Sequence, residues 1–380
     1  MTRGTFLVIA SMDEFYYWLA LGQVLRNKPA LSKKLIERFS TPEAVFASSI
    51  EELGTVEGIT AELARKIKSF VHPVEDIKAE IKGVRDKGIQ LVHLNHSGYP
   101  EILKNLIAPP LYFYMKGAVL RGDAKAIAIV GTRRPTTYGR KVAEMLATEL
   151  SIAGFTIISG MARGVDTFAH QAVLKAGGRS IGVLGCGIDV IYPPENSLLF
   201  SEMAEHGAII SEFSPGAAPE KKNFPQRNRI ISGLSLGTVV VEAAERSGSL
   251  ITVRFALEQG REVFAVPGNI NSPVSRGTNN LIKQGAKLVT CTEDILEEFE
   301  QLLTAGLKNV IKGTSVLEKI SLSSDEESIY NILTLEPKHI DQIIIEGGVG
   351  PGTVMQLLLN LEIKGVAEQL AGSCYVKAKL

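Results

Sequence analysis

Seven short apolar runs, parted by glycine turns and helix-length segments between residues 126 and 289, constrain this chain more than any other feature. They are Ala126–Val130, Thr156–Ile158, Ser180–Leu184, Ala208–Ser211, Thr238–Val241, Glu262–Val266 and Lys287–Val289. Apolar runs without alternation, joined through helices, predict parallel strands buried on both faces. The expected fold is α/β: an extended Rossmann-like, doubly wound and mostly parallel sheet. In such a sheet ligands gather beyond the carboxyl ends of the strands. The turns GTRRP, SGMARG, GCGID, ERSGS and PGN follow the first, second, third, fifth and sixth of these strands, so all are expected on one edge.

The flanks differ in pattern. From about Glu14 to Phe70, helical spacing in WLALGQVL, KKLIERF, PEAVFASS and AELARKIKSF predicts a small helical domain, residues 1–75. Its turn LGTVEGITAELA resembles the second half of a helix-hairpin-helix or SAM-like module, with Thr60 where that motif prefers glycine; the alternative is plain helical packing. The central domain is placed at 76–302 and opens with strands at Ile89–His93 and Leu111–Met115. Residues 303–322, mixed in Gly, Ser, Thr and Lys, read as a linker. In 323–380, helices at Asp325–Thr334, Pro337–Glu346 and Pro351–Ile363 and a hairpin in GVAEQLAGSCYVKA predict a winged helix.

Lys plus Arg equals Asp plus Glu at 41 each, so net charge gives no hint of a polyanionic partner. Local charge does. Residues 131–141 hold four basic side chains and no acid, and 220–234 hold four against one, whereas 325–380 hold eight acids against four lysines. The recognition-helix equivalent PGTVMQLLLNLEIK has no cation before Lys364, which favours protein over DNA contact there. Three widely spaced cysteines, Cys186, Cys291 and Cys374, fit a reducing compartment. The run Phe6–Ala10 is too short for a signal core, and no apolar stretch is long enough to span a bilayer; the cytoplasm is the expected location.

The stretch KKNFPQRNRIISGLSLGTVVVEAAERSGSLITV, from Lys221, sets two lysines and two arginines around one Phe-Pro step. Cations beside one aromatic suit single-stranded nucleic acid, whose phosphates need charge and whose unpaired bases offer faces for stacking. The other reading of Phe224 is a core anchor beside Pro225. Gly131, Thr132 and Arg133 lead into a helix near Tyr138, where backbone N–H groups and the helix N-terminus suit a phosphate oxygen; the bland reading of Arg133 is an ion pair, as with Glu242. Gly160, Arg163 and Gly164 form a second turn, in which Gly160 permits close approach and Arg163 reaches a phosphate or braces the wall. Arg227 and Arg229 lie about 200° apart on a helix, so one is expected to be structural. Gly248 and Ser249 open the next helix as a cap or a further phosphate contact.

GTRRPTTYGR, SGMARGVDTFAHQAVL, GVLGCGIDVIYPPEN, ISEFSPG, FPQRNRIISGLS and VFAVPG, in this order, resemble the motifs of the DNA-processing protein A family (DprA, also called Smf). The resemblance fills about the central half of the chain. It implies binding of single-stranded DNA and its delivery to a RecA-type recombinase in natural transformation, by a homodimer formed through the central domain. Arg133 stands at the arginine of the family's Gly-Ser/Thr-Arg motif. In family terms, Lys221 or Lys222 supplies phosphate charge and Phe224 stacks on a base.

Rival readings are weaker. A nucleotide N-glycosidase or phosphoribohydrolase uses a similar sheet but carries Pro-Gly-Gly followed by Thr and a catalytic Glu; EAAERSGSLIT has Glu242 before the glycine and no acid after it until Glu258. A dinucleotide-dependent oxidoreductase needs a third glycine where Val190 follows Gly185-Cys186-Gly187. An adaptor would dock partners through both flanks around an inert sheet. Asp166 and His170, one helical turn apart, tempt a catalytic or metal reading, but no further ligand stands at metal spacing. No cofactor, metal or catalytic residue is expected.

Overall fold

Every residue of the AIAIV run is buried, and its side chains alternate between two layers: Ala126, Ala128 and Val130 face one, Ile127 and Ile129 the other. Burial on both faces is what helices on either side of a parallel sheet require. The computed structural model in which this is seen describes residues 14–26, 28–70, 74–302, 322–334, 336–364, 366–370 and 372–377. The run Phe6–Ala10 and 303–321, nearly all of the expected linker, lie outside the described residues.

The central sheet holds, in chain order, β1 (Gln90–His93), β2 (Tyr112–Gly117), β3 (Ala126–Val130), β4 (Thr156–Ser159), β5 (Ser180–Leu184), β6 (Ala208–Ser211), β7 (Gly237–Val240), β8 (Glu262–Ala265) and β9 (Lys287–Leu288), in the spatial order β1-β2-β6-β5-β4-β3-β7-β8-β9. From β6 to β9 all neighbours are parallel. The expected strands are therefore present to within a residue or two. β1 and β2 add antiparallel to the β6 edge, which extends the sheet beyond its doubly wound part. The chain reverses its direction of travel across the sheet at β3 and β7, and that switch point is where such sheets open a crevice.

The Thr137–Ile152 and Val165–Lys175 helices cover one face, and the Ser197–His206, Asn223–Gly233 and Ser249–Glu258 helices the other. The N-terminal helices share the second core, where Trp18 stacks on His93 of β1 at 4.3 Å and Glu14 Oε1 lies 2.8 Å from His93 Nε2. Thr60 caps the Ala61–Lys68 helix, its hydroxyl accepting from Leu63 N–H at 3.2 Å.

The third region has its own core of Ile329, Leu333, Ile343, Val354, Leu358, Leu361 and Val366. Helices Ser324–Ile332, Ile340–Gly347 and Pro351–Ile363 precede a hairpin of β11 (Ala367–Leu370) and β12 (Cys374–Lys377). The middle helix starts three residues later than expected, because β10 (Lys338–His339) pairs with β12. This is a winged helix. Among the described residues no helix is long and apolar enough to cross a membrane.

Candidate nucleic-acid interface

Three loops meet at the switch point, and backbone bonds lock them together. Thr132 N–H donates to the Glu242 carbonyl at 2.8 Å, where β7 ends, and Val165 N–H donates to the Thr132 carbonyl at 3.2 Å. The Thr132 hydroxyl accepts from Arg134 N–H at 3.2 Å and shapes the turn. Glu242, 2% exposed, lies beneath the Thr137–Ile152 helix, where its carboxylate accepts from Thr136 N–H at 2.9 Å and the Thr136 hydroxyl at 2.6 Å. The Thr136 hydroxyl in turn accepts from Gly139 N–H at 3.1 Å.

These bonds correct the phosphate role expected of the Gly131-Thr132 backbone and the following helix. The Thr132 amide is occupied, and a buried carboxylate already balances the helix N-terminus. Positive charge at this edge must come from side chains. Arg133, Arg134 and Lys221 supply it: all three are exposed and, among the described residues, form no ion pair. The expected alternative of an Arg133–Glu242 pair does not occur, since Glu242 points inward.

Phe224 opens the Asn223–Gly233 helix and is half-buried. The Arg133 guanidinium lies 5.3 Å from its ring centroid, that of Arg227 5.8 Å, and the Tyr192 ring 5.8 Å. The ring fits because β5 runs into a glycine: a Cβ on Gly185 would stand 2.8 Å from Phe224 Cδ1. The GCG turn, which resembled part of a dinucleotide fingerprint, thus makes room for an aromatic side chain.

Arg227 and Arg229 are both buried, which corrects the expectation that one of them faces outward. Arg227 donates to the Gly160 carbonyl at 2.6 Å and also to the Val183 carbonyl, while Arg229 donates to the Ala108 carbonyl at 2.7 Å and pairs with Glu212. They do point in different directions, but the helix has protein on both sides and residues 227–233 are all buried. Burial pushes the Arg227 guanidinium down to about 10, against the opposing pull of Asp166; it stays charged at neutral pH. Gly160 likewise serves a different end, because the Arg227 guanidinium fills the space its side chain would take.

Arg163 is exposed and paired with Glu195, its Nη2 donating to Oε2 at 3.0 Å. The bracing role therefore describes it in this structure. Lys222 pairs with Glu220 at 2.7 Å in the open, a contact of small energy. Gly248 is exposed, and its carbonyl accepts from Asn228 Nδ2 at 3.4 Å; Ser249 is buried, with its hydroxyl 2.7 Å from that of Ser247.

Asp166 and His170 are structural. The Asp166 carboxylate accepts from Gly160 N–H at 3.0 Å and Ala162 N–H at 3.3 Å, fixing the second turn. Burial raises its pKa, and Arg227 and the two amides pull it back. Ser180 donates its hydroxyl proton to the Ile157 carbonyl at 2.8 Å, so His170 Nδ1, 2.7 Å away, must be the donor to Ser180. Nε2 is then a buried atom without a partner among the described residues. A proton there would find no acceptor, and burial lowers the His170 pKa to about 3. Burial raises the Cys186 thiol to about 11.

Tyr192, Arg140 and Phe168, all in or beside the quoted motifs, line or neighbour this site although no local pattern marks them as part of it. The Arg140 guanidinium lies 5.0 Å from the Phe168 ring centroid and pairs with Glu144 at 2.9 Å. Lys141 pairs with Glu368 of the winged helix. The i, i+4 spacing of Arg140 and Glu144 is visible in the sequence; the approach of Phe168 to Arg140 is set by the packing of two helices.

Comparison with known proteins agrees with this architecture. A family described as DNA recombination-mediator protein A matches residues 90–300, more than half of the chain, and the DprA winged-helix domain matches residues 317–373. Protein Smf of Synechocystis sp. is 33% identical over 96% of this chain and 98% of its own length, and DNA processing protein DprA of Bacillus subtilis is 41% identical over 73% of this chain and 94% of its own. Among solved structures, DNA processing protein A of Streptococcus pneumoniae has a TM-score of 0.63 at 32% identity, covering 76% of this chain and 99% of that one. The Helicobacter pylori protein, whose structure was described for its single-stranded DNA binding mode, has a TM-score of 0.52 at 31% identity over 57% of this chain and 97% of its own. With the family model over more than half of the chain and a relative 33% identical across 96% of it, the chain belongs to the DNA recombination-mediator protein A (DprA/Smf) family.

Proposed function

We propose that this protein binds single-stranded DNA along the carboxyl edge of its central sheet and hands that DNA to a RecA-type recombinase during natural transformation. One observation carries the reading: a half-buried Phe224 ring, seated on Gly185, lies beside the guanidinium of Arg133, which has no ion pair among the described residues. A ring with a neighbouring cation serves a base and its phosphate together. Lys221, exposed and without an ion pair among the described residues, is the phosphate ligand in preference to Lys222, which has Glu220. Arg133 is the second ligand. Arg163 joins them when phosphate displaces Glu195, and Gly248 and Ser249 border the groove. Arg227 and Arg229 hold the floor and add long-range charge.

The protein works as a homodimer in the cytoplasm, where its three unpaired thiols are at home. It is not an enzyme. The two buried carboxylates at this edge, Glu242 and Asp166, are both committed to backbone N–H groups, so neither serves as a glycosidase's free acid.

Fluorescence anisotropy with labelled oligothymidine tests the binding. Expected is preference for single strands over duplex and a log–log salt slope of about −2 to −3.5, from three to five phosphate contacts at about −0.7 each. Equal affinity for duplex, or a flat salt response, would count against it. Strand-exchange assays with a RecA-type protein on DNA coated by single-strand-binding protein test the hand-over: loading should accelerate when this protein is added.

A further inference from the structure

Sharing Arg133 with the Phe224 site is a cavity of about 270 Å³ lined by Arg133, Thr137, Arg140, Gly164 and Phe168 among others. Its lining has two guanidiniums and no carboxylate. Its size is at the small end for ligand pockets, which run to about 300–1,000 Å³, and suits a single nucleotide unit better than a cofactor.

The chemistry of the first site recurs here. Phe168 is half-buried, and the Arg140 guanidinium lies 5.0 Å from its ring centroid, as Arg133 lies 5.3 Å from that of Phe224. Guanidinium planes stack on unpaired bases much as aromatic rings do. Arg140 is steadied by Glu144 at 2.9 Å, so part of its ordering is complete before a ligand arrives. Arg133 belongs to both places: it lies against the Phe224 ring and also lines the cavity. A cation shared between two aromatic platforms is placed to hold the phosphate that joins two nucleotides.

We propose that the Arg140–Phe168 cavity is a second nucleotide subsite, which takes the unpaired base next along the strand from the one stacked on Phe224. This rests on the single-stranded DNA reading of the edge. Recognition is by stacking and charge, with Thr137 adding a hydroxyl, so the subsite tolerates any base.

The test uses the full-length protein and Phe168→Leu, which keeps an apolar side chain but removes the ring face. Melting temperature checks the fold. Phe168→Leu is expected to weaken oligothymidine binding by about five-fold or more, the low end of a lost stacking platform. Oligonucleotides carrying 5-iododeoxyuridine at a single position, crosslinked by light and mapped by peptide mass spectrometry, should give adducts at Phe168 from one position and at Phe224 from the adjacent one. Unchanged affinity with no adduct in the Phe168 peptide overturns the proposal, and the crosslink decides a mixed result. If the unmodified protein binds no single strand, it is the general reading that fails; if Phe224→Ala weakens binding while Phe168→Leu and the crosslink give nothing, only the second subsite fails.

Discussion

Two regions of this molecule have architectures that bind nucleic acids elsewhere, and they are furnished in opposite ways. At the carboxyl edge of the central sheet, Arg133 lies against a half-buried Phe224, and Arg133, Arg134 and Lys221 are exposed and form no ion pair among the described residues. In the winged helix, the Pro351–Ile363 helix has no cation at all, and Met355 and Leu359 are 57% and 54% exposed. The lysines beside it are engaged: Lys338 with Glu346, Lys364 with Glu326, and Lys377 over the Tyr330 ring. Where the regions meet, Glu368 of the wing takes Lys141 of the sheet domain. Fold alone does not assign a DNA surface; charge and stacking groups decide which region suits one.

The largest test of that contrast removes charge from the edge. Arg133→Ala with Lys221→Ala should weaken oligothymidine binding by about 100-fold at low salt and make the log–log salt slope shallower by about 1.4, two contacts at about 0.7 each. Anisotropy across a salt series reads both. Retained affinity would mean that the positive charge at this edge does not serve DNA.

Removing the ring should matter less and in a different way. Phe224→Ala is expected to cost about 1–3 kcal/mol of binding, the range for a stacked base, with the salt slope unchanged because no phosphate contact is lost. A change in slope would show that the variant moved Arg133, whose guanidinium rests against the ring.

Acid should separate the regions a third way, through stability. His170 is fully buried against Ser180 at the start of β5, with its pKa lowered to about 3 from an ordinary value near 6.5. Below pH 6.5 the unfolded chain takes up a proton that the folded chain refuses, so stability falls as pH drops, by up to about 1.4 kcal/mol per unit. Urea unfolding followed by Trp18, the chain's one tryptophan, reports on the core shared by the N-terminal helices and the sheet. Between pH 6.5 and 5 the unmodified protein should lose stability, and His170→Asn, which keeps a donor near Ser180 but cannot titrate, should lose less. Equal slopes would place the acid sensitivity elsewhere.

How much of this was legible in the chain depends on the range of the interactions involved. The strands of the sheet were readable because burial on both faces leaves an apolar run in consecutive residues. Phe224 among the cations of 221–229 is a local pattern, and Arg133 stands in the glycine turn after β3, but that the two side chains meet is visible only in the fold. Arg227 and Arg229 were not: their burial depends on Val183, Gly160, Glu212 and Ala108, which no helical wheel includes. Glu242 was seen as a possible partner of Arg133, yet its real ligands are the hydroxyl and amide of Thr136, 106 positions away. Gly185 resembled part of a nucleotide fingerprint, and only the packed ring shows what its missing side chain makes room for.

The smallest expected effect is the most useful for the contrast. Replacing Met355 and Leu359 together with serine changes the surface of the one helix that a DNA-reading winged helix would insert into a groove. Val354, Leu358 and Leu361 carry the core contacts, so the fold should tolerate the change. If binding is confined to the sheet edge, oligothymidine affinity should stay within about two-fold, near 0.4 kcal/mol, the size expected of surface changes away from a site. A five-fold loss at an unchanged melting temperature would put this helix against the DNA, and nucleic-acid contact there would then have to come from apolar side chains and backbone rather than cations. Unchanged DNA affinity, with any loss confined to recombinase loading, would mark the same exposed Met355 and Leu359 as a protein-docking face.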